Sequence, residues 1–352
     1  MANEDCPSAT DGAIAIVDFA GFIDGSQRKA VADGMLASFK NTGFVYLLNY
    51  GLSQAEVDNM FDWSKKFFGL PEEAKQLAPH PPSGTHHRGY SAPGREKVYQ
   101  LKDGEDEVGA LQAAHRFTSD FKESFESGRE GMPGMENIWL PESMLPGFRE
   151  ACLNFFSRCH QIQLTILRAL ATGLGLTEDY FTPYHLGPDN QLRLLHYPSV
   201  SAKSLHSGEA TRISAHTDFC TMTLLFQDSV GGLEVEDPTC PGKFNPAPPV
   251  PGAVVVNAGD FLMRWSNDTI RSTVHRVRAP PSAAGSDGMI PPRYSIPYVR
   301  GLPLHGSTSG ADISCILSSA RQISIPSSNV FPAHGPKDVP SAMNLSLRVN
   351  ML

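Results

Sequence analysis

Between residues 187 and 300, turn-forming residues divide the sequence into a series of short apolar segments. Such segments, separated by Gly, Asn and Asp, are typical of β-strands joined by tight turns. Many short strands in succession indicate a sandwich or a barrel, because only closed or stacked sheets bury so many small pieces. We therefore predict a double-stranded β-helix, the jelly-roll core, over residues 186–300. The strand-like segments are residues 191–197, 222–226, 233–236, 253–257, 261–265, 269–277 and 293–299.

The first 185 residues have a more helical character. Apolar residues recur at helical spacing over residues 27–40 and again over residues 145–176. Ser53, followed three residues later by Glu56, has the form of a capping box that begins a further helix. We predict that residues 1–185 form a helical and strand region packed on the core. The fold class is then mainly β with flanking helices (α+β).

Residues 301–352 differ again, since they are rich in Ser, Pro and Gly and have weak periodicity. Segments of this kind bury too little apolar surface to order the chain. We expect an atypical, disordered tail. Our hypothesis is that this tail reflects an altered reading frame or an unspliced intron, and an uninterrupted coding match in the transcript would contradict it.

Composition excludes several classes of function. The net charge is −8 and Lys and Arg form no stripe, so nucleic acid is not an expected partner. An apolar content of 41% is that of a globular domain, and no apolar run is long enough to span a membrane. The six cysteines are scattered without a C-x-x-C pair, and the first residues lack the features of a signal peptide. We expect a monomeric cytoplasmic protein that takes a small-molecule substrate.

One pattern indicates metal chemistry. His216 and Asp218 are two residues apart in a strand-like context, so both side chains are predicted to point to one face. A distant strand would supply His275, completing the two-histidine, one-carboxylate set typical of non-haem Fe(II). The alternative is structural, with His216 capping a turn and His275 packed in a core, and spacing alone does not separate the two interpretations.

A second pair supports the metal interpretation. Arg293 and Ser295 are again two residues apart on a predicted strand. A guanidinium with a neighbouring hydroxyl suits a carboxylate, as a dicarboxylate that chelates iron at its 2-oxo acid end would require. Tyr197 is a further candidate donor. For Arg293 alone, a surface ion pair is the competing interpretation.

A third stretch, residues 88–96, combines turn formers with arginines and Tyr90. It suits a loop beside a pocket, and a solvated surface turn is its alternative interpretation.

These pieces occur in a fixed order along the chain. They are Gly43-Phe44-Val45-Tyr46, residues 193–198, His216-Thr217-Asp218, Gly231-Gly232-Leu233, residues 256–260, residues 272–277 and Arg293-Tyr294-Ser295. In this order they resemble the isopenicillin N synthase-like branch of the Fe(II)/2-oxoglutarate-dependent dioxygenases. Within that family the chain is most similar to the fungal thymine 7-hydroxylase group, through residues 88–98, 192–198, 224–228 and 264–270.

The resemblance implies that His216, Asp218 and His275 bind Fe(II). It also implies that Arg293 and Ser295 hold the distal carboxylate of 2-oxoglutarate. The remaining predicted site residues are Arg193 and Tyr197 near the co-substrate, and Phe219, Arg88, Tyr90 and Val299 in the substrate pocket.

The implied reaction consumes 2-oxoglutarate and O2, releases succinate and CO2, and oxidises a C–H bond of a pyrimidine base or a secondary metabolite. Hydroxylation is the usual outcome in such enzymes, and desaturation and cyclisation are alternatives. Ascorbate is expected to support the activity in vitro.

The chain departs from the thymine hydroxylase pattern at Val299, where an aromatic residue that stacks on a flat pyrimidine is expected. Two other interpretations remain at this stage. One is an isopenicillin N synthase-type oxidase that uses no 2-oxo acid, which Arg293 and Ser295 oppose. The other is a catalytically impaired homologue that binds a metabolite, which the intact triad opposes.

Overall fold

The computed structural model describes residues 13–82, 86–94, 120–187, 189–207, 212–280 and 288–300. The predicted tail and the second part of the stretch 88–96 lie outside the described residues. The helices are α1 (Ala20–Ile23), α2 (Arg28–Asn41), α3 (Gln54–Phe68), α4 (Glu72–Lys75), α5 (Phe148–Gly173), α6 (Ala202–Ser207) and α7 (Asp260–Trp265), with a 3-10 turn at Thr182–His185.

The strands of the described residues form three sheets. They are β1 (Ile16–Asp18), β2 (Phe44–Leu48), β3 (Gly89–Ser91), β4 (Glu123–Gly128), β5 (Asn190–Tyr197), β6 (Val200–Ser201), β7 (Ile213–His216), β8 (Met222–Gln227), β9 (Leu233–Glu236), β10 (Phe244–Pro246), β11 (Val254–Ala258), β12 (His275–Val277), β13 (Met289–Ile290) and β14 (Arg293–Arg300).

An eight-stranded major sheet has the order β1-β2-β11-β8-β14-β5-β4-β3, and a four-stranded minor sheet has the order β10-β9-β12-β7. A two-stranded sheet pairs β13 with β6. Half of the major sheet, β1 to β4, comes from residues before 186, so the N-terminal region shares strands with the core as well as packing on it. The predicted jelly-roll core with flanking helices is confirmed.

The two faces of the major sheet have different partners, because successive side chains of a strand alternate between faces. On one face, Leu192, Leu194 and Ile296 belong to the large core shared with helices α2, α3 and α5. On the other face, Tyr46 and Val255 pack against minor-sheet residues such as those of β9. The space between the two sheets is therefore the interior of the jelly roll, and its inward-facing residues are those of interest for function.

The helix signals in the sequence are well reproduced. Ser53 accepts a hydrogen bond from the backbone of Glu56, and the Glu56 carboxylate accepts one from the backbone N–H of Ser53 at 2.8 Å. This capping box begins α3 at the predicted position. Helix α5 falls within its predicted range, helix α2 ends one residue beyond its predicted range, at Asn41, and each helix buries one apolar face.

Two strand predictions were wrong. Residues 260–265 form helix α7, which follows Gly259 directly. Residues 269–274 are not a strand, because Arg271 binds the end of helix α2. The backbone N–H of Arg271 donates to the carbonyl of Phe39 at 3.1 Å, and its side-chain Nε donates to the carbonyl of Lys40 at 2.9 Å. These bonds add to the capping of the C-terminal end of α2, where the Phe39 carbonyl also accepts from the backbone N–H of Gly43 at 3.1 Å.

Among the described residues, no helix combines the length and apolar content that crossing a bilayer would require.

Candidate active site

Three potential metal ligands meet on the inner side of the minor sheet. His216 is the last residue of β7 and lies directly opposite His275 in β12. Asp218 joins them from the loop after β7, and the ligand atoms of the three residues all lie within 4.8 Å of one another. The prediction that Asp218 lies on the same strand as His216 is wrong: β7 ends at His216, and the loop returns the carboxylate to the same side.

Both imidazole rings are oriented by their own strands. The Nδ1 of His216 lies 2.8 Å from the carbonyl of Ser214, and the Nδ1 of His275 lies 3.1 Å from that of Thr273. A carbonyl only accepts, so each Nδ1 is the protonated nitrogen. Each Nε2 then directs its lone pair towards Asp218, at 3.7 Å from the Oδ1 atom in both cases. Hydrogen bonds at the far nitrogen are the usual means of orienting a metal-binding histidine.

The Asp218 carboxylate is held through its other oxygen. Its Oδ2 accepts hydrogen bonds from the hydroxyl of Thr223 at 2.6 Å and the amide of Asn257 at 2.8 Å. Burial opposes ionisation of Asp218, but the two histidines and these hydrogen bonds together lower its pKa. The result is an ionised carboxylate with Oδ1 directed at both imidazoles.

The loop carrying Asp218 packs against Gly259. The backbone N–H of Asp260 donates to the Asp218 carbonyl at 2.7 Å. A Cβ atom at Gly259 would lie 2.1 Å from the Cys220 carbonyl oxygen and 2.7 Å from that of Asp218. Only glycine allows this approach, so the position of Asp218 depends on Gly259.

Charge and coordination chemistry at this cluster are compatible with Fe(II). Burial, together with the neighbouring His275, lowers the pKa of His216 to about 4, so that its imidazole is neutral and able to act as a ligand. Two neutral imidazoles and one carboxylate on one side of a site form the facial set that non-haem Fe(II) prefers. The residues present therefore fit this metal.

A buried cationic pocket lies on the inner face of the major sheet. Arg293 is almost completely buried; its Nη1 donates to the Ser295 hydroxyl at 3.1 Å and its Nη2 to the side chain of Gln227 at 3.4 Å. The guanidinium carbon lies 5.0 Å from the ring centroid of Tyr197, the residue that pairs with Arg293 on the neighbouring strand β5. Within the described ranges, the Nε of Arg293 and the hydroxyl of Tyr197 have no hydrogen-bond partner.

Sequence reasoning missed Arg212. It lies four residues before His216, just before β7, so a strand period of two places both side chains on one face. Arg212 is fully buried and donates through Nη2 to the Pro291 carbonyl at 3.0 Å, while Nε and Nη1 have no partner in the part of the chain that the structure describes. Burial and the charge of Arg293 lower the pKa of Arg212 to about 10. The even spacing of four residues between Arg212 and His216 is the sequence signal that identifies it.

Unsatisfied buried donors of this kind indicate a missing anion. An unpaired buried guanidinium is costly, and two close together are more so. The carboxylate of a small ligand would accept from both arginines and from Tyr197. The pocket thus fits the distal carboxylate of 2-oxoglutarate, although Arg212 was not among the residues predicted for that task.

Another charged group lies further along the inner face. Arg193 on β5 is directly opposite Glu126 on β4, and its Nη2 contacts the Glu126 Oε1 at 2.8 Å. Glu126 is fully buried. The structure therefore places Arg193 in an ion pair with Glu126, four residues along β5 from Tyr197.

The remaining predicted pocket residues lie in different places. Val299 on β14 pairs with Thr223, the residue that holds Asp218, so it lies beside the metal cluster. Phe219 follows Asp218 in the loop and is partly exposed.

Tyr90 faces the other side of the major sheet. Its hydroxyl lies 2.8 Å from the Glu72 carboxylate and 2.6 Å from the Glu123 carboxylate, and its ring packs on Phe67. This position reflects the alternation of β3, in which Gly89 and Ser91 face inwards. The prediction that Tyr90 lines the substrate pocket is therefore not supported by its contacts.

These features define a metal-dependent oxygenase site in a jelly roll, and comparisons with known proteins agree. Residues 14–144 match the family model described as non-haem dioxygenase in morphine synthesis N-terminal, and residues 188–301 match that of the 2OG-Fe(II) oxygenase superfamily. The chain belongs to the 2OG-Fe(II) oxygenase superfamily. It is a 2-oxoglutarate-dependent dioxygenase that acts on a small molecule with Fe(II), 2-oxoglutarate and O2.

Individual relatives cover most of the chain. The 2-oxoglutarate-Fe(II) type oxidoreductase ppzD of Metarhizium rileyi is 41% identical over 80% of this chain and 78% of that protein. The proline hydroxylase buaE of Petromyces alliaceus is 40% identical over 80% of this chain and 85% of that protein. The crystal structure of full-length Neurospora crassa thymine 7-hydroxylase with α-ketoglutarate has a TM-score of 0.74 and 41% identity, covering 86% of this chain and 90% of that one. The resemblance inferred from the sequence is confirmed.

Proposed function

We propose that this dioxygenase hydroxylates its substrate, with His216, Asp218 and His275 as the iron ligands. One observation carries the proposal: the three ligand atoms converge on the same interior that contains the buried, unsatisfied arginine pocket. The bound iron would supply O2 activation coupled to decarboxylation of 2-oxoglutarate. The protein would supply the positions of both reactants and a space from which water is excluded.

We assign the distal carboxylate of 2-oxoglutarate to Arg293, Ser295 and Tyr197. Support comes from the nearly complete burial of all three and from the Nε and hydroxyl groups that have no partner among the described residues. Arg293 is fixed before the ligand binds, because Ser295 and Gln227 hold its two terminal nitrogens. Such preorganisation reduces the entropy lost on binding.

The same pocket argues against the oxidase that uses no 2-oxo acid. A guanidinium that is 1% exposed and has no carboxylate partner among the described residues needs an anion from outside the protein. An impaired homologue is disfavoured as well, because the hydrogen bonds to both histidines and to Asp218 orient all three ligands for metal binding.

The names of the relatives suggest two substrate classes. The Neurospora crassa protein has been crystallised with thymine, and buaE is named a proline hydroxylase. Val299 favours the second class, because a small aliphatic side chain offers no aromatic surface on which a flat pyrimidine could stack. Val299 pairs with Thr223, so this difference from the thymine 7-hydroxylase group lies next to the metal cluster.

The test is succinate release by purified protein supplied with Fe(II), ascorbate and 2-oxoglutarate, alone and with candidate substrates. Measurable release that increases with a substrate, together with a product that has gained one oxygen atom, is the expected result. The variant His216→Ala should lose both Fe(II) binding and turnover. Turnover that survives in this variant would contradict the ligand assignment.

A further inference from the structure

We infer that the first residues of β2, together with the glycine before them, position the iron ligand His275. Phe44 orients the imidazole ring, and Gly43 fixes the segment that carries it. Both are positioning residues, since neither offers an atom that binds iron. The inference rests on the proposed function, because it concerns a ligand assigned there. The same residues begin the motif Gly43-Phe44-Val45-Tyr46, which lies far before the ligands in the sequence.

Phe44 lies behind the metal cluster, on the inner face of the major sheet. It pairs with Asn257 across strands β2 and β11. The Asn257 amide donates to the Asp218 carboxylate at 2.8 Å, and paired residues of antiparallel strands share one face. Phe44 therefore points to the same side of the sheet as the amide that holds Asp218, and it is 1% exposed.

The Phe44 ring contacts the His275 ring edge to face. The two centroids lie 5.4 Å apart and the planes meet at 76°, an arrangement that aromatic pairs prefer. The rings come from different sheets, because β2 belongs to the major sheet and β12 to the minor one. The centroid of the His216 ring lies 4.4 Å from that of His275. The His275 imidazole thus contacts one ring that binds iron and one ring that does not.

The hydrogen bond of His275 leaves part of the ring orientation to packing. Its Nδ1 lies 3.1 Å from the carbonyl of Thr273, whereas the Nδ1 of His216 lies 2.8 Å from that of Ser214. The torsion that turns an imidazole about its bond to Cβ has broad energy minima. His275 is 9% exposed, and a ring packed against it in a dense interior restricts this rotation. Phe44 is that ring on the side of the major sheet.

Gly43 brings the backbone before β2 against the segment that carries His275. Its φ of +73° lies in the left-handed region, and a Cβ atom there would lie 2.6 Å from the carbonyl oxygen of Arg271. The same atom would lie 2.8 Å from the Thr273 Oγ1. Since the Thr273 carbonyl accepts from the His275 Nδ1, a larger residue at position 43 would displace the group that orients the ligand.

The carbonyl of Gly43 contacts the segment behind Asp218. It accepts a hydrogen bond from the backbone N–H of Ala258 at 3.0 Å. Ala258 lies between Asn257, which holds the Asp218 carboxylate, and Gly259, against which the Asp218 loop packs. A displacement at Gly43 would therefore reach the segments behind both ligands.

Ordinary core packing is the competing interpretation, because Phe44 also belongs to the apolar cluster between the two sheets. The two roles predict different results. Packing alone would lower the free energy of unfolding and leave the Fe(II) affinity of the folded protein unchanged. A positioning residue lowers this affinity as well, because binding must then order the imidazole ring.

The first experiment compares Phe44→Leu with Tyr46→Leu. Tyr46 is the next inward residue of β2, is 4% exposed and belongs to the same apolar cluster, and its hydroxyl donates to the Pro248 carbonyl at 2.7 Å. Chemical denaturation with a chelator present should show a loss of stability in both variants. Anaerobic Fe(II) titration, well below the melting temperatures, should show roughly tenfold weaker binding by Phe44→Leu alone. Equal Fe(II) affinities of the two variants would overturn the inference for Phe44.

Phe44→Met keeps the test decisive if Phe44→Leu does not fold. The methionine side chain is flexible and fills irregular spaces in a core, but it has no ring to hold the imidazole. This variant should also bind Fe(II) roughly tenfold more weakly than the wild type. A wild-type affinity in Phe44→Met would contradict the orienting role of the ring.

Gly43→Ala tests the backbone contact, with Gly175→Ala as its matched control. Gly175 has a φ of +75°, so alanine is equally strained there, but its Cβ would have space among the described residues. Both variants should lose stability, and only Gly43→Ala should lose Fe(II) affinity. Equal affinities in these two variants would show that Gly43 acts on folding alone.

Co(II) bound in place of Fe(II) reports the arrangement of the ligands, because its visible absorption depends on coordination geometry. The spectrum should change in Phe44→Leu and Gly43→Ala and match that of the wild type in the two controls. Wild-type spectra in all four variants would count against the inference. A wild-type protein that binds neither Fe(II) nor Co(II) would instead refute the proposed function itself.

Discussion

The guanidinium groups of Arg212 and Arg293 approach the same ring, that of Tyr197, from two different sheets. The Arg293 Cζ lies 5.0 Å and the Arg212 Cζ 5.8 Å from its centroid. One arginine comes from β14 of the major sheet and the other from the residue before β7 of the minor sheet. An anion that joins two like charges with unpaired donors in a buried place stabilises both, which makes Arg212 a candidate second contact for 2-oxoglutarate.

Replacing Arg212 by Met should raise the KM for 2-oxoglutarate by roughly tenfold to a hundredfold, the loss expected for one charge-assisted hydrogen bond. Initial rates of succinate formation measure it. Arg276→Met, at an arginine paired with Glu234, is the control and should leave this KM unchanged. An unchanged KM in Arg212→Met would exclude Arg212 from the co-substrate pocket.

Replacing Thr223 by Val should weaken Fe(II) binding by roughly 10- to 100-fold, because the 2.6 Å bond that holds the Asp218 Oδ2 is lost with little change in shape. Anaerobic Fe(II) titration gives the affinity. Thr221→Val is a suitable control, since the Thr221 hydroxyl contacts His185 and not the metal cluster. Equal affinities for the two variants would mean that the bond to Asp218 does not orient the ligand.

Replacing Gly259 by Ala should lower the free energy of unfolding by about 1–3 kcal/mol and weaken Fe(II) binding, because the added Cβ overlaps the carbonyls of Cys220 and Asp218. The Gly259 φ of −96° is ordinary, so the effect is steric and not conformational. Gly34→Ala in helix α2, where space is available, is the control and should be neutral or stabilising. Chemical denaturation with and without Fe(II) separates the two effects.

Replacing Lys75 by Met should destabilise the protein by about 3–5 kcal/mol, because it leaves the buried Glu123 carboxylate without the partner at 2.6 Å. Burial of Glu123 opposes ionisation, but hydrogen bonds from His196, Lys75 and Tyr90 lower its pKa below the ordinary value. A lowered pKa stabilises the folded protein at pH values above the unfolded-state pKa of about 4.3. This stabilisation disappears as the pH falls through the folded-state pKa.

The wild-type melting temperature should therefore fall more steeply on acidification than that of Lys75→Met. Lys65→Met, at an exposed pair with Asp62, provides the comparison and should change little at any pH. Since Glu123 faces the helices, Fe(II) and 2-oxoglutarate binding by Lys75→Met should be normal well below its melting temperature. Identical acid sensitivity in wild type and Lys75→Met would contradict the role of this ion pair.

Elements that depend on local pattern could be predicted from the amino-acid sequence. Helix α3 begins where Ser53 and Glu56 cap it, and strands β5, β8, β9, β11 and β14 follow from short apolar segments and turn residues. The order of the motifs also identified the family and named the residues that converge at the metal cluster. These signals are readable because capping, strand alternation and ligand chemistry each depend on a few nearby side chains.

Only the tertiary structure shows which side chains meet between the two sheets. Asp218 returns to His216 through a loop that packs against Gly259, a residue from a distant part of the sequence. Arg212 and Arg293 are likewise far apart in sequence and meet at one ring because β7 and β14 lie on facing sheets. Tyr90 faces the helices because of its place in the alternation of β3. Such contacts depend on the register between strands, which no single segment encodes.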